Sequence, residues 1–255
     1  MRLALLSDLH ANWQALSACL SHAQAQGVDG HAFLGDLVGY GADPGQVLDQ
    51  VMALHAQGAQ VLQGNHDAMA VSPPPGEASL GASTSGWTHG QLNRAQRDYL
   101  AQLPLTATVE HVLLVHASAD KPEAWRYVDG ERAAMACLDA ARGGGVVDGV
   151  PPNHVMVGHV HHQTLYYQGA GRGLMPFRPT PGVGVPVPRL RACVATVGSV
   201  GQPRDGDPRA MYAIYDMRAG RLIFHRVPYD HAAAAQAIRQ AGLPEYFAHR
   251  LETGR

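Results

Sequence analysis

The chain has 255 residues, of which 46% are hydrophobic, and carries a net charge of −2 with a pI near 6.7. A chain of this length can bury a substantial core, and no linker-like segment divides it, so we expect a single domain over residues 1–255. The near-neutral charge excludes a global basic field of the kind that drives unspecific binding to nucleic acid. We therefore do not expect a nucleic-acid partner.

Cysteine usage and the first residues indicate the compartment. The three cysteines are far apart and form no CxxC motif: Cys19, Cys137 and Cys193. This spacing argues against a zinc knuckle and a disulfide framework, and it is typical of the reducing cytosol. An apolar strand begins directly after Met1, which leaves no room for a signal peptide, and no apolar run reaches about 18 residues. We expect a cytoplasmic protein with no membrane partner.

Periodicity of the apolar residues predicts alternating strands and helices in the first half of the chain. Strands are predicted at residues 2–7, 31–35, 60–63, 112–116, 154–158, 192–197, 210–216 and 221–227. Helices are predicted at residues 13–26, 45–57, 89–102, 131–141 and 231–241. The early half therefore has βαβα order. The short connections between later strands indicate antiparallel pairing and a second sheet packed on the first.

Two segments, 73–86 and 169–191, are rich in Gly, Pro and Ser, which predicts irregular surface loops. Each is either a simple connector or a border of a substrate cleft, where loops commonly set specificity. In the second case, the arginines of the later loop would meet an anionic substrate: Arg172, Arg178, Arg189 and Arg191. The glycines of that loop have no strand before them and no helix after them, so they do not predict a dinucleotide site.

Five short motifs follow strand-like runs and carry polar side chains. They are SDLH at 7–10, GDLVGYG at 35–41, GNHD at 64–67, VHAS at 115–118 and GHVHH at 158–162. Their carboxylate, amide and imidazole groups suit divalent cations, and none contains the thiolate that softer metals prefer. The candidate metal ligands are Asp8, His10, Asp36, Asn65, His116, His159 and His161. Any one such histidine is more often structural, so the prediction depends on their joint occurrence.

Topology explains how ligands distant in sequence can meet. Parallel βαβ strands present their carboxyl ends at one edge of a sheet, so side chains placed just after the first three strands converge there. Sites that hold two metal ions for phosphoryl transfer need about this many donors, together with a carboxylate that can bridge the ions. The sequence therefore predicts a two-metal site for phosphoryl transfer.

In this order, the five motifs resemble the pattern of the calcineurin-like metallophosphoesterase superfamily, which is DxH, GD, GNHD or GNHE, H, and GHxH. The motifs span residues 8–161. The segment GSVGQPRDGDPRAMYAIYD at 198–216 is similar to the turn and returning strand of small bacterial phosphodiesterases and phosphatases in that superfamily. The resemblance implies an α/β fold, namely a four-layer α/β/β/α sandwich of two mixed sheets.

The resemblance also implies roles for individual residues. It implies one ion site formed by Asp8, His10 and His161, a second formed by Asn65, His116 and His159, and Asp36 as the bridge. It implies catalytic roles for His66, Asp36 and Asn65, and substrate contacts from Asn65, His66 and Arg204. For His66 and Arg204, a purely structural role in their turns stays open. We expect two divalent metal ions at this site. Mn²⁺ or iron is favoured, although Zn²⁺, Co²⁺ and Ni²⁺ also accept nitrogen and oxygen donors.

The activity implied is hydrolysis of a small phosphate ester by attack of a metal-bound hydroxide on a phosphodiester or phosphomonoester bond. The block GDLVGYG departs from the GDxVDRG of related protein Ser/Thr phosphatases, because Gly39 and Tyr40 stand in place of the Asp and the phosphate-binding Arg. Loss of that bidentate clamp favours phosphodiesters or small esters. The alternatives are a phosphoprotein phosphatase, a nucleotide or dinucleoside polyphosphate hydrolase, a nuclease, and a catalytically silent scaffold. No sequence feature marks the oligomeric state.

Overall fold

The computed structural model describes residues 1–75, 82–144, 152–171 and 173–255. Its strands are β1 Arg2–Leu6, β2 Gly30–Phe33, β3 Gln60–Val61, β4 Thr106–Val109, β5 Val112–Val115, β6 His154–Val157, β7 Gln163–Gln168, β8 Leu174–Phe177, β9 Gly184–Pro186, β10 Cys193–Val197, β11 Ala210–Asp216 and β12 Arg221–Val227. Its α-helices are α1 Trp13–Ala25, α2 Pro44–Ala56, α3 Asn65–Val71, α4 Ser85–Gln91, α5 Arg94–Gln102, α6 Glu131–Gly143, α7 His231–Gln240 and α8 Glu245–Thr253. Short 3-10 turns lie at Ala82–Thr84 and Pro122–Ala124.

The strands form two mixed sheets of six strands each. The first has the order β3-β2-β1-β11-β12-β9, and the second has the order β4-β5-β6-β10-β7-β8. In the first sheet β1, β2 and β3 run parallel, whereas β11 pairs antiparallel with β1. In the second sheet β5, β6 and β10 run parallel. The parallel strands of each sheet therefore direct their carboxyl ends to one edge.

The residues of β1 show how the layers are built. Leu3 and Leu5 pack between the two sheets, whereas Ala4 and Leu6 pack against helices on the opposite face of the first sheet. This alternation follows from the two-residue period of a strand, and it requires apolar side chains on both faces. Helices α1 and α2 cover the outer face of the first sheet, and α6 covers that of the second. The predicted four-layer α/β/β/α sandwich is confirmed.

The eight predicted strands and four of the five predicted helices are present, with ends that agree to within two residues. The helix predicted at 89–102 is wrong in its continuity, because the chain forms α4 and α5 with a break at Leu92 and Asn93. Asn93 caps α5 by accepting a hydrogen bond from the amide of Gln96 at 2.9 Å, and the Gln96 side chain accepts one from the amide of Asn93 at 3.0 Å. This reciprocal cap starts a new helix within the apolar period.

The loop predicted at 169–191 is also wrong in part, because it contains β8 and β9. These strands lie at the edges of the two sheets, where glycine and proline are tolerated because only one side of the strand is paired. The possible substrate contact of Arg172 falls on a residue outside those that the structure describes, as does part of the loop at 73–86, namely residues 76–81. Strands β4 and β7 and helices α3 and α8 were not predicted from the sequence.

All three cysteines are buried and form no disulfide bond. Their burial raises the pKa of the Cys19 thiol above its ordinary range and that of Cys193 to about 12, so they are packing residues. Among the described residues, no helix is both long and apolar enough to cross a membrane.

Candidate metal centre

The predicted metal ligands all follow strands at the same edge of the sandwich. Asp8 and His10 follow β1, Asp36 follows β2, and Asn65 begins α3 just beyond β3. In the second sheet, His116 directly follows β5, and His159 and His161 follow β6. The two sheets therefore contribute to one site from both sides of the core between them.

Five of these seven residues adopt the left-handed backbone region, which non-glycine residues rarely occupy. Their φ angles are 54° for Asp8, 47° for His10, 51° for Asp36, 65° for His159 and 58° for His161. Each such residue costs on the order of 1–3 kcal/mol, and this strain persists only where the surroundings impose it. Backbone hydrogen bonds of 3.0 Å from the Asp8 amide to Gly35 O and from the His10 amide to Asp36 O hold the two loops together. Strain of this kind is concentrated at functional sites.

The first group of donors consists of Asp8, His10 and His161. Nε2 of His161 lies 3.2 Å from Oδ1 of Asp8 and 3.2 Å from Nε2 of His10. Nε2 of His10 lies 3.8 Å from the same Asp8 oxygen. All three side chains are buried, so their donor atoms face one small volume.

The second group consists of Asp36, His116 and His159, whose donor atoms lie within 4.8 Å of one another. Nε2 of His116 is 3.4 Å from Oδ2 of Asp36 and 3.2 Å from Oδ1 of Asn65, so Asn65 belongs to this side of the site. The same Oδ2 of Asp36 lies 3.8 Å from Nε2 of His10. One oxygen of Asp36 therefore stands between the two groups.

Hydrogen bonds fix the orientation of three imidazoles. The Nδ1 atom of His10 lies 3.3 Å from Val38 O, that of His116 lies 2.8 Å from Leu34 O, and that of His161 lies 2.6 Å from Gln202 O. A carbonyl oxygen only accepts, so Nδ1 carries the proton in each of these rings. When such a ring is neutral, the lone pair of its Nε2 is directed at the site, which is the tautomer that a metal ligand needs.

The two carboxylates are oriented in a similar way by backbone amides. Oδ2 of Asp8 accepts a hydrogen bond from the amide of His159 at 2.9 Å, and Oδ1 of Asp36 accepts one from the amide of His66 at 2.8 Å. In each carboxylate, the other oxygen faces the histidines. One oxygen of each acid is thus held by the backbone while the second remains directed at the site.

Burial and neighbouring charges shift the pKa values of the acids and histidines at the site. Burial opposes ionisation of Asp8 and Asp36, but the neighbouring His161 and His116 outweigh it and hold the pKa of both acids below the ordinary range. Burial lowers the pKa of His10, and it lowers that of His159 to about 4. His116 differs from these two histidines, because burial would lower its pKa but the charge of Asp36 outweighs burial and raises it to about 9. The two buried carboxylates require compensation by positive charge, which a protonated His116 or a bound cation supplies.

A metal ion fits this environment. Nε2 of His159 is buried and has no hydrogen-bond partner among the described residues, although buried ring nitrogens are normally paired. The donors are nitrogen and oxygen atoms, as divalent first-row ions accept, and no cysteine is among the three donor groups found in the described part of the chain. The residues at this site are therefore suited to binding divalent metal ions.

His66 lies between the donors and the cleft. Its donor atom forms a third group with those of His10 and Asp36, all within 4.8 Å of one another. Its ring lies edge-on to that of His10, with centroids 5.0 Å apart, and against Tyr40 at 4.3 Å. The structure therefore brings His66 to the site, in a position that suits either contact with a substrate or contact with a metal ion.

Arg204 also lies at the site, as the sequence predicted. It lines the same cleft as Asp36, Asn65 and His66. Its Nε and Nη2 donate to Oε1 of Gln202 at 3.1 and 2.7 Å. This contact holds the guanidinium at the rim of the cleft.

Two neighbours of the ligands have structural contacts. Asp67 accepts hydrogen bonds from the amides of Leu37 at 2.8 Å, Val38 at 3.2 Å and Gly64 at 2.8 Å, so it joins the two loops that carry Asp36 and Asn65. The Asp67 carboxylate therefore orients the backbone of these loops and does not contact the ring of a candidate metal ligand. The other neighbour, His162, is exposed, and its Nδ1 lies 2.8 Å from Val160 O.

Three aromatic residues of the cleft were missed by the sequence analysis: Tyr40, Trp125 and Tyr127. Tyr40 was noted only as a departure from the phosphatase motif. Trp125 and Tyr127 lie in the connection from β5 to α6, beyond the VHAS motif at its start. The sequence signal that could have identified them is the pair of aromatic residues two positions apart that follows the VHAS block.

Comparison with known proteins identifies the superfamily of the chain. The calcineurin-like phosphoesterase superfamily domain matches residues 1–220, so the chain belongs to that superfamily of metal-dependent phosphoester hydrolases. The chain is similar to a metallophosphoesterase from Sphaerobacter thermophilus, whose crystal structure aligns with a TM-score of 0.85 and 34% identity over 100% of this chain and 99% of that chain.

Two archaeal proteins are similar over nearly their whole length. A hypothetical protein from Pyrococcus horikoshii shares the fold, with a TM-score of 0.74 and 19% identity over 100% of this chain and 98% of that chain. An uncharacterized protein from Methanocaldococcus jannaschii is 28% identical over 264 residues, which cover 99% of this chain and 98% of that protein. Helices α7 and α8 lie beyond the matched residues 1–220, yet the full-length alignments include them.

Proposed function

We propose that the protein is a dinuclear metal-dependent phosphoesterase that hydrolyses small phosphodiesters or phosphomonoesters. The two ions would occupy the two groups of donors, one held by Asp8, His10 and His161 and the other by Asn65, His116 and His159, with Asp36 between them. The main support is the position of Oδ2 of Asp36, which lies 3.4 Å from His116 Nε2 in one group and 3.8 Å from His10 Nε2 in the other.

Two bound ions would supply a water of lowered pKa as the nucleophile and would offset the negative charge of the phosphate. Mn²⁺ or iron is proposed for the two ions, with Zn²⁺, Co²⁺ and Ni²⁺ as alternatives, because all of these accept imidazole and carboxylate donors without a thiolate. The protein itself contributes orientation. The oriented imidazoles and carboxylates hold their geometry before substrate arrives, so little reorganisation is required during the reaction.

Three residues are proposed to contact the substrate. Asn65 carries an amide that can donate to a phosphate oxygen while its Oδ1 faces His116. His66 and Arg204 line the same cleft and are proposed to meet the phosphate oxygens or the leaving group. Burial is the main cause that lowers the pKa of His66, and its neutral ring can donate one proton in a hydrogen bond.

Small esters are favoured over large polymeric substrates by the form of the site. The ligands open into a cleft of about 710 Å³, within the range of roughly 300–1,000 Å³ that is typical of small-molecule pockets. Arg204 is the cation among the residues that line it. An extended nucleic acid would require a longer basic groove.

The proposal is tested by removing metal with a chelator, restoring Mn²⁺, and measuring hydrolysis of bis-p-nitrophenyl phosphate and p-nitrophenyl phosphate. We expect turnover only in the restored protein. A panel of nucleotides, cyclic nucleotides, sugar phosphates and phosphopeptides would then identify the ester class. Protein that holds its metal but hydrolyses none of these esters would contradict the proposal and favour a silent scaffold.

Metal stoichiometry tests the two-ion arrangement separately. We expect elemental analysis to give two ions per chain, and His10→Ala and His159→Ala each to lose one. His55→Ala is the matched control, because His55 is an exposed histidine on α2 that pairs with Tyr99. Loss of both ions from either ligand variant would mean that the two groups form a single site.

A further inference from the structure

The cleft beside the metal ligands is larger than a phosphate group needs, and one wall is aromatic. Trp125 and Tyr127 line this wall, and Met69 and Pro74 contribute apolar surface elsewhere in the cleft. The charged lining residues are Asp36 and Arg204, together with the histidines of the site. The part of the cleft away from the ligands therefore suits an uncharged, flat group.

Trp125 and Tyr127 lie directly against two of the proposed metal ligands. The ring of Tyr127 is stacked on that of His159, with centroids 4.2 Å apart and planes inclined by 23°. The Trp125 ring lies 5.8 Å from that of His116, edge to face. Each contact places an aromatic surface next to a donor of the second group, where the organic part of a bound ester would extend.

Trp125 and Tyr127 are large aromatic side chains that remain exposed and do not pack in the core. Tyr127 is 53% exposed, and Trp125 is partly exposed. Neither packs in any of the hydrophobic clusters found among the described residues. Exposed aromatic surface that lines a concave site is typical of ligand binding.

The backbone holds Trp125 in place without core packing. The 3-10 turn Pro122–Ala124 is flanked by Lys121 and Trp125, whose φ angles of 54° and 51° lie in the left-handed region. The amide of Trp125 donates to Pro122 O at 3.3 Å. Beyond the turn, the buried side chain of Val128 anchors the segment to the core. Strained backbone retained for a half-exposed side chain indicates a positioned contact residue.

We propose that Trp125 and Tyr127 form a stacking surface for an aromatic ring carried by the phosphate ester, such as a nucleoside base or an aryl group. This inference rests on the proposed function, because it places the phosphate at the metal ligands and the ring on the adjacent wall. Stacking on such side chains contributes about one to two orders of magnitude in affinity per ring. Met69 would add a polarizable contact within the same cleft.

A cationic organic group, such as choline, is the main competitor for an aromatic surface. The charges of the cleft oppose it, because Arg204 lies at the rim and the proposed function adds two metal cations. The aromatic ring therefore fits the site better than the quaternary amine. Phosphocholine is included in the test as the ligand that would reverse this conclusion.

Kinetics with matched esters provide the first test. Phenyl phosphate is compared with methyl phosphate, and adenosine 5′-phosphate with ribose 5-phosphate, each also as its methyl diester. We expect Trp125→Ala and Tyr127→Ala to lower the ratio of kcat/KM for ring-bearing esters to that for ringless esters about tenfold or more, because a change at the metal ligands affects both members of a pair and the loss of stacking affects only one. The relative loss for the adenosine and phenyl esters distinguishes a nucleoside from an aryl group. Tyr167→Ala is the control, since Tyr167 is an exposed aromatic that lines a different pocket.

An equal loss for ring-bearing and ringless esters would overturn the inference, as would no loss for either or a preference for phosphocholine. A second measurement separates this inference from the proposed function. Non-hydrolysable benzylphosphonate and propylphosphonate are titrated against the Zn²⁺-loaded protein while tryptophan fluorescence is recorded. We expect benzylphosphonate to bind about tenfold more tightly and to quench fluorescence in the wild type but not in Trp125→Phe, which retains Trp13 and Trp87.

If no ester is hydrolysed but benzylphosphonate still binds preferentially through Trp125, the proposed function fails and the ring-binding surface stands. If esters are hydrolysed but the two phosphonates bind alike, the ring-binding surface fails and the proposed function stands.

Discussion

The phenol ring of Tyr40 lies against the imidazole of His66, with ring centroids 4.3 Å apart. The Tyr40 ring also lies 4.6 Å from the ring of His10 and 4.8 Å from that of Phe247, and the guanidinium of Arg204 is 5.7 Å from the Tyr40 centroid. Gly39 and Tyr40 stand where related protein Ser/Thr phosphatases carry an Asp and an Arg. In this protein, aromatic packing takes the place of an acid–imidazole pair beside His66, and helix α8 supports that packing through Phe247.

Substitution of Gly39 tests how closely His66 must be positioned. A Cβ added at Gly39 would lie 2.7 Å from Nδ1 of His66, so we expect Gly39→Ala to displace the imidazole and lower kcat by about tenfold or more. Gly58→Ala is the control, because Gly58 has a similar φ of 102° against 89° for Gly39, but its Cβ would meet no described atom within 4 Å. Both variants should lose about 1–2 kcal/mol of stability in urea unfolding. Equal kcat in the two variants would show that the position of His66 does not limit turnover.

Tyr40 itself is expected to position His66 through its ring. Tyr40→Phe retains the ring, whereas Tyr40→Ala opens space beside both His66 and Arg204. We expect kcat to fall about tenfold in the alanine variant and to stay within about twofold of wild type in the phenylalanine variant. Steady-state kinetics at saturating Mn²⁺ measure both values. A phenylalanine variant as impaired as the alanine variant would instead assign the effect to the hydroxyl group.

Asp36→Asn tests the carboxylate between the two donor groups. Asparagine keeps the size of the side chain and can still accept from the His66 amide, but it removes the charge shared by both groups. We expect Mn²⁺-supported turnover to fall by about 100-fold or more while circular dichroism and the unfolding temperature stay close to wild type. The control is Asp139→Asn, which removes the charge of an exposed acid on α6. Near-normal turnover in Asp36→Asn would contradict the bridging role.

His66→Ala distinguishes a substrate contact from a metal ligand. The geometry permits both, because the donor atom of His66 lies within 4.8 Å of those of His10 and Asp36. We expect turnover to fall while elemental analysis still finds two ions per chain, since each group has its own donors without His66. A variant that loses one ion would make His66 a ligand. Comparison with His10→Ala provides the reference for the loss of a true ligand.

The convergence of the candidate ligands could be predicted from the sequence because strand order determines which side chains meet at one edge. Motifs that follow parallel strands must meet at one sheet edge, so Asp8, Asp36 and Asn65 could be grouped without coordinates. The nearly continuous apolar runs of β1 and β11 likewise identified strands that are buried on both faces. These features depend on local periodicity and on topology, both of which are contained in the order of the residues.

The features that were missed depend on tertiary packing. The left-handed backbone at Asp8 and Asp36 is imposed by hydrogen bonds between loops, and no local signal announces it. Trp125 becomes a wall of the cleft only because a strained turn directs the chain there. Helix α8 contributes to the site through Arg250, which donates to Oε1 of Gln202 at 3.1 Å, a contact across 48 positions of sequence. The periodicity of apolar residues gives no information about interactions between residues so far apart in the sequence.

A buried histidine far from the metal ligands supplies a pH dependence of stability. His154 is fully buried between the sheets, with Nδ1 2.7 Å from the hydroxyl of Tyr215 and Nε2 2.9 Å from Arg191 O. The carbonyl accepts a proton from Nε2, so the hydroxyl donates to Nδ1, and the ring is satisfied in its neutral form. Burial, followed by the charge of His111, lowers the pKa of His154 from 6.5 to about 4.

Because the unfolded chain binds more protons than the native protein between pH 6.5 and about 4, this group makes stability fall as the pH falls through that window. The loss approaches about 3 kcal/mol at the acid end. His154→Gln removes the titration while an amide can still accept from Tyr215 and donate to the carbonyl of Arg191. We expect urea unfolding of the wild type to show a larger decrease in the free energy of unfolding between pH 6.5 and about 4.5 than the variant shows. The two proteins differ only at His154, so the difference between their pH profiles reports this ring together with its interaction with His111. Parallel pH profiles would contradict the neutral burial of His154.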